Sequence, residues 1–509
     1  MARLHEYQGK TILAANGFKI PRGRAAFTPD EAVAAAKELG GEIVIKIQAW
    51  MTGRAGIGGV AFGKEADEVR AQAERMLSMK IGQFPVEAVL VEEKIDIDRE
   101  FFLSFVIDDA ARAPMIIFAG GGGTGIEERA TSTKRIPCDV ERGPLNSALS
   151  EAVASCELSP KQTNDLAEAI RQLFAAARSV EARSLEINPL VLTKKGEFFA
   201  ADCRITIDDY AVGRHPDLGI EIAREFDHPP TALERIAYAV EQNDHRGTFY
   251  FAQLATSAAK DSKGLVGFHG AGGGGSMMSM DAIVNTGFTI ANFTDTSGNP
   301  SASKVYRAAR IILAQPDLVG YFGSGSGVAS QEQYWSAYGL AKAFWELDLD
   351  IPAVIRLGGN TEDRAVEILR RMSKLLRASV EGYRKTDTPT RVADRFAELV
   401  ANGGGGKWKP RRPRLLEFVK QKTGAKLDVK SGRVWIDISN WVQNRAAIQE
   451  YSGGLIADDA GKPVAAVPPE DFANKDSELL ACDVECRLAS IDGFFLEIDV
   501  PGLDQLIPR

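Results

Sequence analysis

The chain has 509 residues, of which 45% are hydrophobic and 26% charged, and its formal net charge is −8 with a pI near 5.5. This length exceeds what one hydrophobic core usually supports, so about two to four domains are expected. The acidic balance argues against nucleic acid or an anionic membrane as the main partner. The chain has no signal-peptide pattern and no run of about 18 apolar residues, which predicts a cytoplasmic protein that does not cross a membrane.

Helix and strand patterns alternate in the first part of the chain. Thr28 at a helix N-cap, Pro29 at the first helical position and Glu31 at the third predict a helix in "TPDEAVAAAKEL". The β-branched run "EIVIKIQAW" (42–50) predicts a strand. Apolar residues at helical spacing after a Ser-Pro pair predict a long helix in "SPKQTNDLAEAIRQLFAAARSV" (159–180).

A hairpin is predicted for "LEINPLVLTKKGEFFAADCRI" (185–205), with its turn at 193–197. Pairing of Leu192 with Phe198 would set the register of both strands. Side chains alternate between the two faces of a strand, so one set of apolar residues is expected to point into the core. That set is Leu185, Ile187 and Val191.

The same register places four polar side chains on one face, at one end of the hairpin. Asn188 is expected opposite Asp202, and Glu186 opposite Arg204. Oxygen ligands from both strands suit a hard cation such as Mg²⁺, with nucleotide phosphates completing its coordination. The alternative is a cross-strand ion pair between Glu186 and Arg204 on a solvated face.

Two features upstream of the hairpin suit a nucleotide. Lys46 lies in the middle of a predicted apolar strand, where a lysine is unfavourable unless its charge is paired, and a phosphate would pair it. The glycine-rich stretch "TGRAGIGGVAFG" (52–63) follows, with Gly53 and Arg54, and its backbone N–H groups could cover a triphosphate.

Two glutamates follow in "LVEEKIDIDREFFLS" (90–104). Glu92 ends a predicted strand, and Glu100 lies in the next one. Their carboxylates could accept hydrogen bonds from adenine or ribose. The alternative is that both are ordinary solvated charges.

From residue 264 onward the chain repeats a strand, a loop and a helix four times. The loops contain "GAGGGGS", "TDTSGNPS", "GSGSGVAS" and "LGGNTED", and a helical pattern follows each of them. Such units predict a parallel sheet with right-handed crossovers. Its loops then meet at the carboxyl edge of the strands, where helix N-termini suit phosphate or carboxylate oxygens. The residues expected there are His269, Gly270, Gly323, Ser324 and Gly325.

The last part of the chain has a different composition. The stretch "NGGGGKWKPRRPR" (402–414) is rich in glycine, proline and basic residues, which predicts a linker. Residues 415–509 combine helix and strand patterns, which predicts a small appended domain, and its sequence indicates no particular chemistry.

Several of these segments resemble a known enzyme family over roughly residues 3–400. The first part resembles the ATP-grasp region of the succinyl-CoA synthetase β subunit in "LHEYQGKTILAANGFKIPRG", "IVIKIQAWMTGRAGIGGV", "LVEEKIDIDREFFLS" and "LEINPLVLTKKGEFFAADCRI". The second part, from "GAGGGGSMMSMDAIVNTGFTIANFTDTSGNPS" to "VIRLGGNTED", resembles its CoA-ligase domain. Within it, "ANFTDTSGNPS" and "GAGGGGS" are more similar to ATP-citrate lyase and citryl-CoA synthetase.

The resemblance implies an α/β protein with an ATP-grasp domain at 1–230 and a flavodoxin-like parallel-sheet CoA-ligase domain at 231–401. A linker at 402–414 and a small α+β C-terminal extension at 415–509 would follow.

Carried over by position, the resemblance also implies roles for individual residues. ATP (or GTP) would be held by Lys46, Gly53, Arg54, Glu92 and Glu100. Mg²⁺ would be bound by Asn188 and Asp202. Glu186 would face the phosphoryl group as it moves to and from a histidine.

The family reaction converts ATP, a carboxylate and CoA into ADP, phosphate and an acyl-CoA, through an acyl phosphate and a phosphohistidine. In this family the phosphohistidine and the main CoA-binding domain belong to an α-type subunit. The resemblance therefore implies a hetero-oligomer with such a partner, CoA as co-substrate and a small carboxylate substrate.

The chain departs from the family pattern at three places. The phosphate loop carries Trp50, Met51 and Thr52 before Gly53 and Ala55 and Gly56 after Arg54, a difference that concerns nucleotide affinity and choice. In the substrate loop, "FGSGSGVAS" (322–330) replaces the "FGGI" of the succinate enzymes, a difference that concerns the acid, which is expected to be a di- or tricarboxylate or an unusual acid. His269 replaces an asparagine. One interpretation makes His269 a packing or substrate-binding side chain, and the other makes it a phosphate acceptor or an acid that protonates a ligand carboxylate.

Two other functions stay open from the sequence. The first is a kinase-like enzyme that uses the phosphoryl-transfer residues without CoA. The second is a non-catalytic assembly subunit, which would have no physical need for the combination of Lys46, Glu186, Asn188 and Asp202.

Overall fold

The computed structural model describes residues 1–51, 53–122, 133–224, 226–242, 247–325, 327, 329–330, 332–373, 376–403, 406–413 and 500–507, and five short strands between 426 and 497. The chain divides into two compact units, Met1–Pro230 and Thr231–Arg509. Most of 415–509, the region predicted to form a C-terminal domain, lies outside the described residues.

The first unit consists of β-sheets and five α-helices in its described part. Its strands are β1 (Ala2–Arg3), β2 (Gly23–Ala26), β3 (Ile43–Ile47), β4 (Val60–Gly63), β5 (Lys80–Ile81), β6 (Phe84–Pro85), β7 (Val89–Glu93), β8 (Ile97–Asp108), β9 (Ala113–Ala119), β10 (Lys134–Asp139), β11 (Gly143–Pro144), β12 (Ala182–Thr193), β13 (Phe198–Ala200) and β14 (Arg204–Ile207). Its helices are α1 (Glu6–Ala15), α2 (Pro29–Leu39), α3 (Ala66–Leu77), α4 (Asn146–Ala154) and α5 (Pro160–Ser179).

Two antiparallel sheets organise this unit. The smaller sheet has the order β2-β7-β3-β4, and α2 and α3 pack on it around a core that includes Ile43, Ile45 and Val69. The larger sheet has the order β1-β14-β12-β8-β9-β10-β11, with β13 beside β12. Helices α1, α4 and α5 contribute to its core, which includes Leu13 and Leu173.

The elements predicted in this unit are confirmed. Helix α2 starts at Pro29, and the Thr28 side chain accepts a hydrogen bond from the backbone N–H of Glu31. Strand β3 lies within the predicted segment 42–50, and α5 begins after Ser159, whose side chain caps it. The local capping and periodicity signals therefore agree with the tertiary structure.

Two pairs of the predicted hairpin register are confirmed, and the pairing of Asn188 with Asp202 stays a prediction. Leu192 pairs with Phe198, and Glu186 pairs with Arg204. The expected burial of Val191 is confirmed. The core cluster that holds Leu185 and Ile187, however, continues with Leu190 and Leu192. The reason is a register shift against β8 between Ile187 and Leu190, which changes which side chains face the core.

The second unit contains a parallel sheet with helices. Its strands are β15 (Tyr250–Gln253), β16 (Leu265–Ala271), β17 (Thr289–Asp295), β18 (Leu318–Gly325), β19 (Ala353–Arg356), β20 (Val380–Tyr383), β21 (Lys426–Asp428), β22 (Arg433–Asp437), β23 (Leu455–Ala457), β24 (Pro463–Ala465) and β25 (Phe495–Glu497). Its helices, in the described part, are α6 (Ala232–Gln242), α7 (Gly273–Asn285), α8 (Ala302–Ile312), α9 (Tyr334–Glu346), α10 (Glu362–Ser373), α11 (Pro389–Asn402) and α12 (Leu503–Leu506).

The main sheet of this unit has the order β15-β17-β16-β18-β19-β20. Strand β15 runs antiparallel to β17, and the other pairs are parallel. In chain order the five parallel strands lie as 2-1-3-4-5, which is the flavodoxin-like order, and the predicted α/β fold class is confirmed. The strand order reverses between β16 and β18, so ligands are expected at the carboxyl ends of these two strands.

Residues 406–413, within the predicted linker, pack against the second unit. The Trp408 side chain is completely buried, and its indole N–H donates to the carbonyl of Leu313 over 2.6 Å. The backbone N–H of Trp408 donates to Leu318 O, and the N–H of Asp317 donates to Trp408 O. The segment 500–507 joins the same core through Leu503. The chain on either side of 414–499 is therefore anchored to this unit.

Among the described residues, none of the helices has the length and apolar character that a membrane crossing needs.

Candidate functional site

A cavity of about 810 Å³ lies in the first unit. Its volume is within the range of roughly 300 to 1,000 Å³ that is typical of sites for small ligands. It is lined by eight residues predicted to bind nucleotide or metal or to face the phosphoryl group: Lys46, Gly53, Arg54, Glu92, Glu100, Glu186, Asn188 and Asp202. The fold thus brings together residues that are up to about 150 positions apart in sequence.

Lys46 is paired with two carboxylates near the end of β3. Its Nζ lies 2.8 Å from Glu6 Oε1 and 2.9 Å from Glu92 Oε2, and it donates to the carbonyl of Ala201 over 2.7 Å. Lys10 lies beside it and contacts the same two glutamates, at 2.8 Å and 2.5 Å. The strand lysine is therefore stabilised by carboxylates already present in the protein.

Arg54 links this cluster to the hairpin. It begins a short 3₁₀ turn, Arg54–Ile57, which follows Gly53. Gly53 has a φ of 69°, a left-handed conformation that glycine adopts readily, and a Cβ there would meet open space. The Arg54 guanidinium lies 2.8 Å from Glu6 Oε2 and donates to Asp202 Oδ2 over 2.7 Å. One arginine thus contacts both the buried glutamate and a predicted metal ligand.

The opposite charges in this cluster stabilise one another. Burial alone would raise the pKa of Glu6, but the cations of Lys10, Lys46 and Arg54 hold it well below its ordinary value. Burial would lower the pKa of Lys46, but the carboxylates of Glu6, Glu92 and Asp202 raise it above its ordinary value. Glu6 and Lys46 are therefore both expected to be charged at neutral pH, in a cluster that contains three basic and three acidic side chains.

The predicted metal ligands Asn188 and Asp202 both line the cavity, with Glu186 beside them. The Asp202 side chain is one-third exposed, and its Oδ2 already faces the positive charge of Arg54. An amide and a carboxylate oxygen are donors that Mg²⁺ accepts, so the residues present fit this ion. The described residues contain no cluster of three or more His, Cys, Asp and Glu side chains that would hold a metal without help from a ligand.

The two glutamates predicted to contact adenine or ribose have different surroundings. Glu92 is buried in the ion cluster, so the solvated-charge alternative does not describe it. Glu100 is half-buried on β8, opposite Val191. The contact of either residue with a nucleotide stays a prediction.

The residues predicted at the ligand edge of the second unit lie at the carboxyl ends of β16 and β18. His269 pairs with Gly323, and Gly270 pairs with Ser324, where the strand order reverses. The Ser324 hydroxyl is buried, 2.7 Å from that of Ser279 on α7. Gly325, the last residue of β18, follows at the same edge. Residues 326 and 328 of the "FGSGSGVAS" segment lie outside the described residues.

His269 is buried, and both of its ring nitrogens have neighbours. Nδ1 lies 2.5 Å from the hydroxyl of Tyr321, and Nε2 lies 3.1 Å from Oγ1 of Thr296. Burial lowers the pKa of His269 to about 3, so the ring is neutral at neutral pH. This geometry favours the packing interpretation, and phosphorylation of His269 stays an untested hypothesis.

Glu6 and Lys10 were missed by the sequence analysis. They are four residues apart on α1, a spacing at which glutamate and lysine commonly pair on an exposed helix surface. Both are almost fully buried, because α1 presents them to Lys46 and Glu92 on strands of the smaller sheet. The four-residue spacing of this Glu–Lys pair is visible in the sequence, but such a spacing usually indicates an ion pair on the exposed surface of a helix.

Comparisons with known proteins identify the family to which the chain is related. A family model described as an ATP-grasp domain matches residues 3–192. The β subunit of the ADP-forming succinate–CoA ligase of Rubrobacter xylanophilus is 31% identical over 406 residues, which are 79% of this chain and 99% of that protein. The β subunit of the GDP-forming succinate–CoA ligase of Thermus thermophilus is 34% identical over 72% of this chain and 93% of that protein.

The chain belongs to the succinate–CoA ligase β-subunit family. Membership confirms the predicted family and the predicted enzyme class, an acid–thiol ligase. Among solved structures, ATP citrate lyase from Methanothrix soehngenii in complex with citrate and coenzyme A matches with a TM-score of 0.60 and 18% identity, over 78% of this chain and 99% of that one. At this identity the match shows the fold alone, and it agrees with the predicted α/β fold that includes an ATP-grasp region. Each of these two matches leaves about a fifth of the chain uncovered.

Proposed function

We propose that this chain is the β-type subunit of an ADP-forming acid–CoA ligase, which converts ATP, a carboxylate and CoA into ADP, phosphate and an acyl-CoA. The observation that carries the proposal is the convergence of eight predicted residues on one cavity, in a chain of this family. An acyl phosphate and a phosphohistidine on an α-type partner are the intermediates of the proposed reaction. A cytoplasmic location is part of the same proposal.

The nucleotide would occupy the cavity with its phosphates toward Lys46 and Arg54. These two cations offset the charge of the triphosphate, and the backbone around Gly53 can approach it closely because glycine has no side chain. Phe62 and Ile95 on the lining offer apolar surface for a purine. Positioning and charge neutralisation are the main contributions that phosphoryl transfer requires of a protein.

Asn188 and Asp202 would hold Mg²⁺ beside the phosphates. The ion, when bound, neutralises charge on the oxygens of the transferred phosphoryl group. Glu186 shares the cavity with both ligands, and we assign it the position that faces this phosphoryl group. A Glu186→Gln variant would then keep nucleotide binding and lose phosphoryl transfer.

The second unit would hold the carboxylate or acyl phosphate at the carboxyl ends of β16 and β18. Gly270, Gly323 and Gly325 lie at this edge, and α7 starts at Gly273 directly after β16, so its N-terminal N–H groups could bind the carboxylate or phosphate oxygens. The solved ATP citrate lyase with citrate and coenzyme A and the succinate-specific relatives make a di- or tricarboxylate the class of acid to test first.

The test uses the chain in complex with its α-type partner. ADP release from Mg·ATP should require both CoA and one acid from a panel of di- and tricarboxylates, and the Glu186→Gln complex should release none. ADP release without CoA would indicate the kinase-like alternative. Failure of the chain to bind Mg·ATP would indicate an assembly subunit.

A further inference from the structure

Both carboxylate oxygens of Asp202 already have partners in the protein. Oδ2 accepts from Arg54 over 2.7 Å, and Oδ1 accepts from the backbone N–H of Cys203 over 2.7 Å. A metal ion that binds Asp202 through Oδ2 would therefore meet the positive charge of Arg54 at that oxygen. Two cations on one carboxylate oxygen repel each other strongly in a partly buried site.

Arg54 is held from its other side by Glu6. One guanidinium nitrogen lies 2.8 Å from Glu6 Oε2 and donates to the carbonyl of Ile47 over 3.0 Å, while the second nitrogen reaches Asp202. Because the guanidinium is a planar fork, its second nitrogen can release Asp202 while the first keeps its contacts. Glu6 is in turn fixed by Lys10 and Lys46.

We propose that Arg54 is an exchangeable counter-ion of Asp202: it occupies the metal-binding oxygen when no nucleotide is bound, and it moves to the phosphates when the metal and nucleotide enter. Glu6 is the positioning residue that retains Arg54 at the cavity during this exchange. The inference rests on the proposed function, because it assigns Asp202 to the metal and the cavity to a nucleotide.

The exchange has a thermodynamic consequence. Without nucleotide, a divalent cation must displace Arg54 from Asp202 and leave the guanidinium without that partner. With nucleotide, the phosphates provide Arg54 with a new partner, so metal and nucleotide bind cooperatively, and each raises the affinity of the other by the same factor.

The test is a Mn²⁺ titration of the nucleotide-free chain, followed by the electron paramagnetic resonance of free Mn²⁺. The Arg54→Met variant should bind Mn²⁺ about tenfold more tightly than the unaltered chain, the change expected for release of one charge-assisted hydrogen bond. The same variant should bind Mg·ATP more weakly. Arg70→Met, at an exposed arginine that pairs with Asp30, should change neither affinity.

The Lys46→Met variant distinguishes release of Asp202 by Arg54 from the loss of any one positive charge in the cluster. Lys46 carries the same charge in the same cluster, but its Nζ contacts Glu6, Glu92 and the carbonyl of Ala201. Lys46→Met should raise the affinity for Mn²⁺ by a factor several times smaller than the factor produced by Arg54→Met. Equal tightening by both variants would overturn the exchange.

The Glu6→Gln variant should change the affinity for Mn²⁺ in the opposite direction to Arg54→Met. With Glu6 neutral, Arg54 has Asp202 as its remaining carboxylate partner, so Mn²⁺ should bind more weakly. Loss of structure would weaken Mn²⁺ binding in every variant, and it cannot produce opposite signs.

The outcomes also separate the inference from the proposed function. Unchanged or weaker Mn²⁺ binding by Arg54→Met, in a chain whose Asp202→Asn variant loses the ion, would overturn the exchange and leave the proposed function standing. Absence of Mn²⁺ binding even with ATP present would overturn both.

Discussion

The ammonium of Lys46, on β3, lies 2.8 Å from the carboxylate of Glu6, on α1. This contact joins the smaller sheet to a helix that packs on the larger sheet of the first unit. It is part of a set of three cations and three carboxylates, of which all except Lys10 line the cavity. The cations that we propose to bind phosphate are therefore already at the cavity before any ligand enters, which would reduce the reorganisation needed on binding.

Replacement of Lys46 by methionine should weaken both the ligand site and the fold. The variant leaves Glu6 and Glu92 with one cation fewer in a buried site, and breaking a buried pair commonly costs about 3 kcal/mol or more. We expect urea unfolding to show a free energy of unfolding lower by about that amount, and calorimetry to show at least a tenfold lower affinity for ATP. Lys19→Met, which breaks an exposed pair with Glu197, should change the free energy of unfolding by less than about 1 kcal/mol. Equal effects of both variants would contradict the assigned role of Lys46.

Glu6 should make the stability of the protein sensitive to acid. Its pKa is held well below the ordinary value of 4.5, so the folded state binds fewer protons than the unfolded state in the window below 4.5. Its contribution is complete above pH 4.5 and is lost as the pH falls through the lowered pKa. The difference in unfolding free energy between the unaltered chain and Glu6→Gln should therefore shrink below pH 4.5. A difference that stays constant down to pH 3.5 would refute this.

His269 should give a second acid sensitivity in a different window. Burial lowers its pKa to about 3 from the ordinary 6.5, so between these values the unfolded state binds a proton that the folded state does not. The contribution of His269 to the free energy of unfolding is complete above pH 6.5. It falls as the pH drops, by at most about 1.4 kcal/mol per pH unit. Urea unfolding between pH 6.5 and 5 should show a shallower pH dependence for His269→Asn. An unchanged slope would show that the ring is not held neutral.

Trp408 should stabilise the second unit. Removal of a buried tryptophan typically costs about 3 to 5 kcal/mol, and Trp408→Ala also leaves the carbonyl of Leu313 without its indole donor. Calorimetry should show a lower unfolding temperature for the transition of the second unit and no change for the first. The exposed neighbour Lys409 provides the control, because Lys409→Ala should leave both transitions in place. Equal transitions for the two variants would contradict the anchoring of 406–413.

The hairpin shows what the sequence could predict well. The turn at 193–197 and the alternation of side chains were sufficient to place Glu186 opposite Arg204. Local signals do not contain the register shift beyond Ile187, which arises from pairing with β8, and for this reason the place of Leu190 and Leu192 in the same core cluster could not be predicted from the alternation.

Other features depend on contacts that are distant in sequence. Lys46 was identified as a lysine that requires a counter-charge, yet its partner Glu6 lies 40 residues away on a helix with an ordinary surface pattern. Trp408 lies in a stretch whose glycine and proline content is typical of linkers, and its burial depends on Leu313 and Leu318. Composition describes the local chain, whereas burial is decided by the tertiary structure.

We propose that the cavity of the first unit binds a magnesium nucleotide. Calorimetric titration of the purified chain with ATP, in excess Mg²⁺ and again in excess chelator, tests this binding, with Asp202→Asn measured under both conditions. We predict binding at a single site, at least tenfold weaker without Mg²⁺, and an Asp202→Asn variant whose ATP affinity no longer depends on Mg²⁺. Absence of ATP binding, or the same dependence on Mg²⁺ in the variant as in the unaltered chain, would contradict the claim.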